Sequence, residues 1–249
     1  MFWLRSSVLA RVVPAGPGAV AARRAVDVAR WLEGVDFPAV RLAGSSSDLV
    51  EAGGYVVTFW RPVSPGERIA DLGEIGEVVR LLHWLREPSS LGLELLDPVA
   101  RVVRGLDAAG GLAEADRAFL RERAEALGRR FEELNFVLQS GMLHGSESLD
   151  DFVVDVDGHV VLSSVDGFAV GPREWDLSLV AVAFERFVAG YGFDVLNWYG
   201  YETLAAVREL AMTVDLAARG TTGEQVTAEV SRRIEDLRTG GDRHGWQSL

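Results

Sequence analysis

Residues 144–177 constrain this chain more tightly than any other stretch. They open as His144-Gly145-Ser146-Glu147-Ser148-Leu149-Asp150-Asp151 and run through an apolar segment, 152–162, with Asp157-Gly158 at its middle. They continue as Ser163-Ser164-Val165-Asp166-Gly167 and close on Gly171-Pro172-Arg173-Glu174-Trp175-Asp176-Leu177. The valine-rich runs on either side of Asp157-Gly158 predict two strands joined by a tight turn, since such turns need residues that tolerate positive φ.

Upstream, 2–4 and 8–13 read as short strands around an Arg-Ser-Ser turn. Alanine-rich 18–33 has helical spacing and Gly34 as a stop, and 39–42 and 55–60 read as further strands. Arg61-Pro62-Val63-Ser64-Pro65-Gly66 is rich in breakers and marks a connection. Beyond it helices dominate, at 69–85, 95–106, 113–134, 174–187, 201–219 and 223–238. The division expected is a small β-rich lobe with one helix over 1–62 and a mainly helical lobe over 63–249.

The 144–177 block resembles the catalytic core of the aminoglycoside phosphotransferase and choline kinase superfamily. That group carries a run of the form H-G-D-x-H-x-x-N, a hairpin, I-D-(W/F)-(D/E)-G and a G-P-x-E-W-D-L-like block. Tyr55-Val56-Val57-Thr58-Phe59-Trp60 is similar to its hinge strand, and Arg80-Leu81-Leu82-His83-Trp84-Leu85 to the helix that follows. The resemblance implies an α+β, two-lobed protein-kinase-like fold with a truncated β-rich N-lobe and a helical C-lobe. The few residues ahead of Val8 leave no room for the glycine-rich hairpin that covers nucleotide phosphates in the family.

Carried over position by position, the resemblance puts Ser146 where the family has its catalytic aspartate. Asp151 stands at the metal-binding asparagine and Ser164 at the second metal ligand. Arg11 matches the phosphate-gripping strand residue, and Ala25 the glutamate that usually pairs with it. Phosphoryl transfer depends on positioning and on metal neutralisation of phosphate charge, with a carboxylate orienting the nucleophile. Mg²⁺ is held by carboxylates together with phosphates and water, and serine is a weak base unless activated. Losing one positioned acid–base group typically costs roughly 10²–10⁴-fold. The expectation is therefore a phosphotransferase-fold protein that has lost phosphoryl transfer, with no cofactor and no metal. Asp151 would serve as a metal ligand only in a residual kinase.

Composition narrows the classes further. There is no cysteine and no lysine; all 25 basic residues are arginine. Disulfide, thiolate and lysine Schiff-base chemistry are excluded. A net charge of −12 argues against nucleic acid as partner. No apolar run is long enough to cross a bilayer, and Met1-Phe2-Trp3-Leu4-Arg5 lacks a signal pattern. A cytoplasmic protein without membrane association is expected.

Three readings of function remain open. In the first, the former cleft binds a bulky, secondary-metabolite-like molecule and performs proton-transfer chemistry such as dehydration, conjugate addition or cyclisation. Its catalytic candidates are His144, Ser146, Glu147 and Asp166, and its ligand-binding candidates are Arg11, Trp60, Ser164, Tyr191, Trp198 and Tyr201. Buried carboxyl and imidazole groups can be tuned for such work, and aromatic side chains suit an apolar ligand. Each candidate also has a plain structural reading: His144 as a strut under its loop, the acids as turn caps, the aromatics as core. In the second reading the chain is a non-catalytic pseudokinase whose partner is another protein. In the third it is a residual ATP-dependent small-molecule kinase.

Overall fold

The computed structural model describes residues 2–4, 8–44, 49–63, 66, 68–86, 88–146, 148–178, 184–218, 223–241, 243 and 246. In chain order these form strands β1 (Phe2–Leu4) and β2 (Val8–Pro14), helix α1 (Pro17–Gly34), strands β3 (Arg41–Leu42), β4 (Leu49–Ala52) and β5 (Tyr55–Arg61), and helix α2 (Leu72–Trp84). Helices α3 (Pro98–Ala108) and α4 (Glu114–Glu132) follow, then strands β6 (Gly141–Leu143), β7 (Phe152–Val154), β8 (Val160–Leu162) and β9 (Ala169–Gly171). The chain ends in helices α5 (Glu174–Leu177), α6 (Phe184–Tyr191), α7 (Tyr201–Ala218) and α8 (Glu224–Thr239). The architecture is α+β, a small sheet with many helices.

Two compact units are present, Met1–Leu96 with Leu138–Asp194, and Asp97–Val137 with Val195–Leu249. The expected lobe boundary at residue 62 falls just after β5, whereas compactness groups the sheet with α2, α6 and strands β6 to β9.

In the first unit, β1, β2, β5 and β3 lie side by side in that order, and β4 also pairs with β5. Every pairing is antiparallel. α1 starts on Pro17, whose fixed φ suits a first helical turn. It buries Ala22, Ala25, Val26, Ala29 and Leu32 at helical spacing, and the small Ala19 and Ala22 pack with Val56 of β5. β4 is a strand that residue propensities hardly announce. It forms because Gly53 and Gly54 both adopt positive φ, 60° and 81°, and close a two-residue hairpin onto β5.

α2 begins at Leu72, three residues later than its apolar spacing suggests, because a reciprocal cap fixes the start. Asp71 Oδ1 accepts from Gly73 N at 2.8 Å, and Glu74 Oε2 accepts from Asp71 N at 3.0 Å. α2 packs on α6 at backbone distance; a Cβ on Gly76 would lie 2.6 Å from the Phe187 carbonyl oxygen. Only part of the helix expected over 174–187 is described, as α5 and the start of α6, with 179–183 outside the described residues.

The β7–β8 hairpin turns where the sequence places it. Asp155 Oδ1 accepts from the amides of Asp157 and His159, at 3.0 and 2.9 Å, and Gly158 takes φ 87°. β8 is tied to the segment ahead of β3 by Val40 N to Leu162 O, 2.7 Å, and Leu162 N to Pro38 O, 2.9 Å. β6 pairs with β9 and lays Met142 and Leu143 into the core.

The second unit is helical. α3 starts at Pro98 rather than at Leu95, because Asp97 Oδ1 caps it through Ala100 N at 2.8 Å. Gly105 lets α3 meet Val214 of α7, and Gly128 lets α4 meet Val99 of α3. Among the described residues, no helix is long and apolar enough to cross a membrane.

Candidate functional site

A cavity of about 390 Å³ opens beneath the sheet of the first unit. Its roof follows from strand register. Leu9 stands opposite Trp3 on one side and opposite Trp60 on the other. Directly paired residues of antiparallel strands point to the same face, so Trp3, Leu9 and Trp60 form one apolar row across three strands, and all three line the cavity. The next row holds Arg11 opposite Thr58. Thr58 fixes the Trp60 indole by accepting from Nε1 at 2.8 Å. The floor is Val153 of β7 and the run Ser163-Ser164-Val165-Asp166 after β8. The chain leaving β5, Arg61-Pro62-Val63, makes a side wall.

Polar groups are few here. Arg11 donates from Nη1 to Asp166 Oδ2, so roof and floor are joined by an ion pair at the rim. Ser163 Oγ is engaged with the Asp151 carbonyl at 3.0 Å. Ser164 lines the cavity with no hydrogen-bond partner among the described residues. Of the sequence-derived candidates, Arg11, Trp60, Ser164 and Asp166 thus come together on one cavity.

The remaining described candidates stand elsewhere. The His144 side chain is 1% exposed, edge-on to Phe152 and Phe168, with Nε2 3.4 Å from Asp151 Oδ2. Ser146 Oγ accepts from Ser148 N at 3.2 Å, and Ser148 Oγ from Asp150 N at 3.1 Å, a ladder of local turn bonds. Glu147 lies outside the described residues. Tyr191 stacks on Phe187 and bonds His83 through its hydroxyl at 2.7 Å. Trp198 and Tyr201 belong to the second unit, where Trp198 is buried beside Phe136 and Tyr199.

The loop under the site is held by Asp176, from the last run of the 144–177 block. Asp176 is fully buried and accepts from His144 N at 2.7 Å, Gly145 N at 2.9 Å and His83 Nε2 at 3.0 Å. Burial alone would push its carboxyl up. The hydrogen bond and charge of His83 outweigh that, aided by His144 and the Gly145 amide, and hold it below the ordinary carboxylate value. Behind it, burial pushes the Tyr191 phenol well above its ordinary value, which keeps the hydroxyl protonated beside His83. The His83–Asp176–Tyr191 network went unread in the sequence because its members lie far apart in the chain. The one signal for it was His83 within the hinge-following helix motif.

Gly145 and Gly167 bring the two loops of the block into backbone contact. Gly145 has φ 68°, and a Cβ on Gly167 would sit 2.7 Å from the His144 carbonyl oxygen and 2.9 Å from Ser146 N. Only glycine fits such an approach.

Comparison with known proteins separates sequence from shape. No protein-family model and no curated protein matches the chain by sequence. Solved structures do match in fold. An aminoglycoside phosphotransferase from Streptomyces rimosus is 19% identical, with 82% of this chain and 86% of that chain covered and a TM-score of 0.61. An amicoumacin kinase in complex with AMP-PNP, Ca²⁺ and Ami is 10% identical, with 96% and 84% covered and a TM-score of 0.69. A choline kinase from Streptococcus pneumoniae is 11% identical, with 92% and 85% covered and a TM-score of 0.66. At these identities the likeness is one of fold, and the chain has the kinase-like fold of the aminoglycoside phosphotransferases.

Proposed function

We propose that this kinase-like protein has given up phosphoryl transfer and binds a flat, largely apolar organic molecule in the cavity under its sheet. The observation that carries the reading is the lining: a row of Trp3, Leu9 and Trp60 above Val153 and Val165, with an ion pair, Arg61 and serine hydroxyls as its polar features. Pockets of this kind take their affinity from apolar contact and their orientation from a few polar groups. Ser164 supplies a hydroxyl for one ligand hydrogen bond, and the Arg11–Asp166 pair offers both signs of charge at the rim.

The neighbours' names speak for ATP-dependent phosphorylation, and the donors present here do not fit it. Two positions that need carboxylates hold Ser146 and Ser164. The guanidinium that should meet phosphate oxygens is committed to Asp166, and the Asp151 carboxylate is turned toward His144. A polyphosphate with its divalent metal needs dense anionic ligation, and neutral hydroxyls do not supply it. Of the three described groups considered for proton transfer, His144, Ser146 and Asp166, Asp166 is the one on the cavity wall, and it is the group we assign to any dehydration or cyclisation in this cleft.

Calorimetry with Mg·AMP-PNP and fluorescence titration with Nile red, a neutral planar dye, test the reading together. Nile red should bind, and Trp3→Ala should weaken it about tenfold through lost aromatic area. Mg·AMP-PNP should give no heat at millimolar concentration. Nucleotide binding by the unmodified protein, or ATP consumption, would overturn the proposal.

A further inference from the structure

The sheet of the first unit has one face in use. Leu9 and Trp60 look onto the cavity, and Val13, Leu49 and Val56 pack under Ala19 and Ala22 of α1. Successive residues of a strand point to opposite sides, so the alternate positions of β1, β2, β4 and β5 form the other face. An antiparallel sheet with one side in water normally carries its polar residues on that side. Here the order is reversed. Arg11 and Thr58 point inward with Leu9 and Trp60, and the outward positions between the strand ends are apolar. Register lines them up across the strands as Phe2–Ala10–Phe59 and as Val12–Val57–Val50. This face is open to solvent: Phe2 is 62% exposed, Tyr55 50%, Leu4 44%, Val50 39% and Val12 38%.

Charge sets the face apart as well. Acids make up 37 of the 249 residues, yet none of the described outward positions holds one. Glu51 of β4 points inward and pairs with Arg23 of α1. Arg41 and Arg61, opposite each other at the strand ends, bound the face at one corner. At about 200 Å² for a whole aromatic side chain and somewhat less for leucine or valine, the exposed fractions leave on the order of 500 Å² of apolar surface on each copy. Two such faces together would bury about 1,000 Å², the size at which specific protein interfaces begin. A net charge of −12 makes two copies repel, and the repulsion is least where a face without acids meets its like. We propose that this outer sheet face is a homodimer interface. Two copies stack sheet on sheet about a two-fold axis, each burying Phe2, Val12, Val50 and Tyr55 against the same face of the other. The interface does not depend on the function assigned to the cavity, which lies on the opposite side of the sheet.

Sedimentation velocity over a concentration series tests it. The protein should be a single chain near about 1 μM and largely a dimer near about 500 μM, the weak association expected of a small interface. Val12→Glu and Val50→Glu, which put a carboxylate in the apolar row, should each weaken the dimer about tenfold or more. Val20→Glu adds the same charge at an exposed valine of α1 and should leave it unchanged. Cross-linking gives a second measurement that does not rest on the glutamate variants. The chain has no cysteine, so Val12→Cys offers a single thiol. A short bismaleimide should join Val12→Cys copies in pairs at dimer-forming concentration, and Val20→Cys copies should stay single. A protein that remains a single chain at the top of the series, or glutamate variants that associate as the unmodified protein does, would sink the proposal. Equal cross-linking of the two cysteine variants would do the same. A single chain that floats with phosphatidylcholine vesicles would give the face to a lipid surface instead.

Discussion

At the scale of single residues, the most heavily bonded group beneath the site is Asp176. It gathers two loop amides and the His83 ring in a position without solvent. Its folded pKa lies below its ordinary value of 3.8. Its contribution to stability is therefore complete above that value and is lost as pH falls through the depressed one. Asp176→Asn should cost roughly 3 kcal/mol at neutral pH, as expected for breaking a buried charged network. It should also flatten the acid limb of the stability curve below about pH 4, and urea melts across a pH series would show both effects. Residue identity made some of the site legible: Arg11, Trp60, Ser164 and Asp166 were named from motif positions and share one cavity. The sequence did not reveal that Arg11 and Asp166 pair, because 155 positions separate them and only the folded register joins them. Trp3 and Leu9 were missed for a related reason: their place in the roof depends on which strands are neighbours.

Elements were legible where periodicity was long and blurred where capping or turn chemistry decided. α1, α4, α7 and α8 stand close to their expected spans, since a stripe of apolar residues over four or five turns is hard to misread. The starts of α2 and α3 moved because Asp71 and Asp97 cap them and override the apolar residues just upstream. β4 was hidden by its brevity, although Gly53-Gly54 was the signal that would have found it. The crossing of α2 and α6 invites a direct test. Gly76 faces the Phe187 carbonyl with no room for a methyl group, so Gly76→Leu should destabilise by roughly 3 kcal/mol or more through overpacking. Gly34, with nothing within 4 Å of a Cβ, should accept alanine with a change of at most about 1 kcal/mol. Thermal melts of the two variants give the comparison.

For the whole molecule, the fold was the part most open to reading, because the 144–177 block keeps the spacing on which the resemblance rests. A fold of this kind is a scaffold for many chemistries and does not settle which one it hosts. What is particular to this chain is how its first unit uses the scaffold, with a cavity roofed by indoles. The roof carries one further consequence. Its outermost member, Trp3, rides on β1, three residues long and at the margin of the sheet. Margins of this kind open at small free-energy cost compared with inner strands, so the amides of β1 should exchange hydrogen much faster than those of β5. Admission of a guest would then be timed by the fraying of one short ribbon, with the hinge and the loops beneath it standing still.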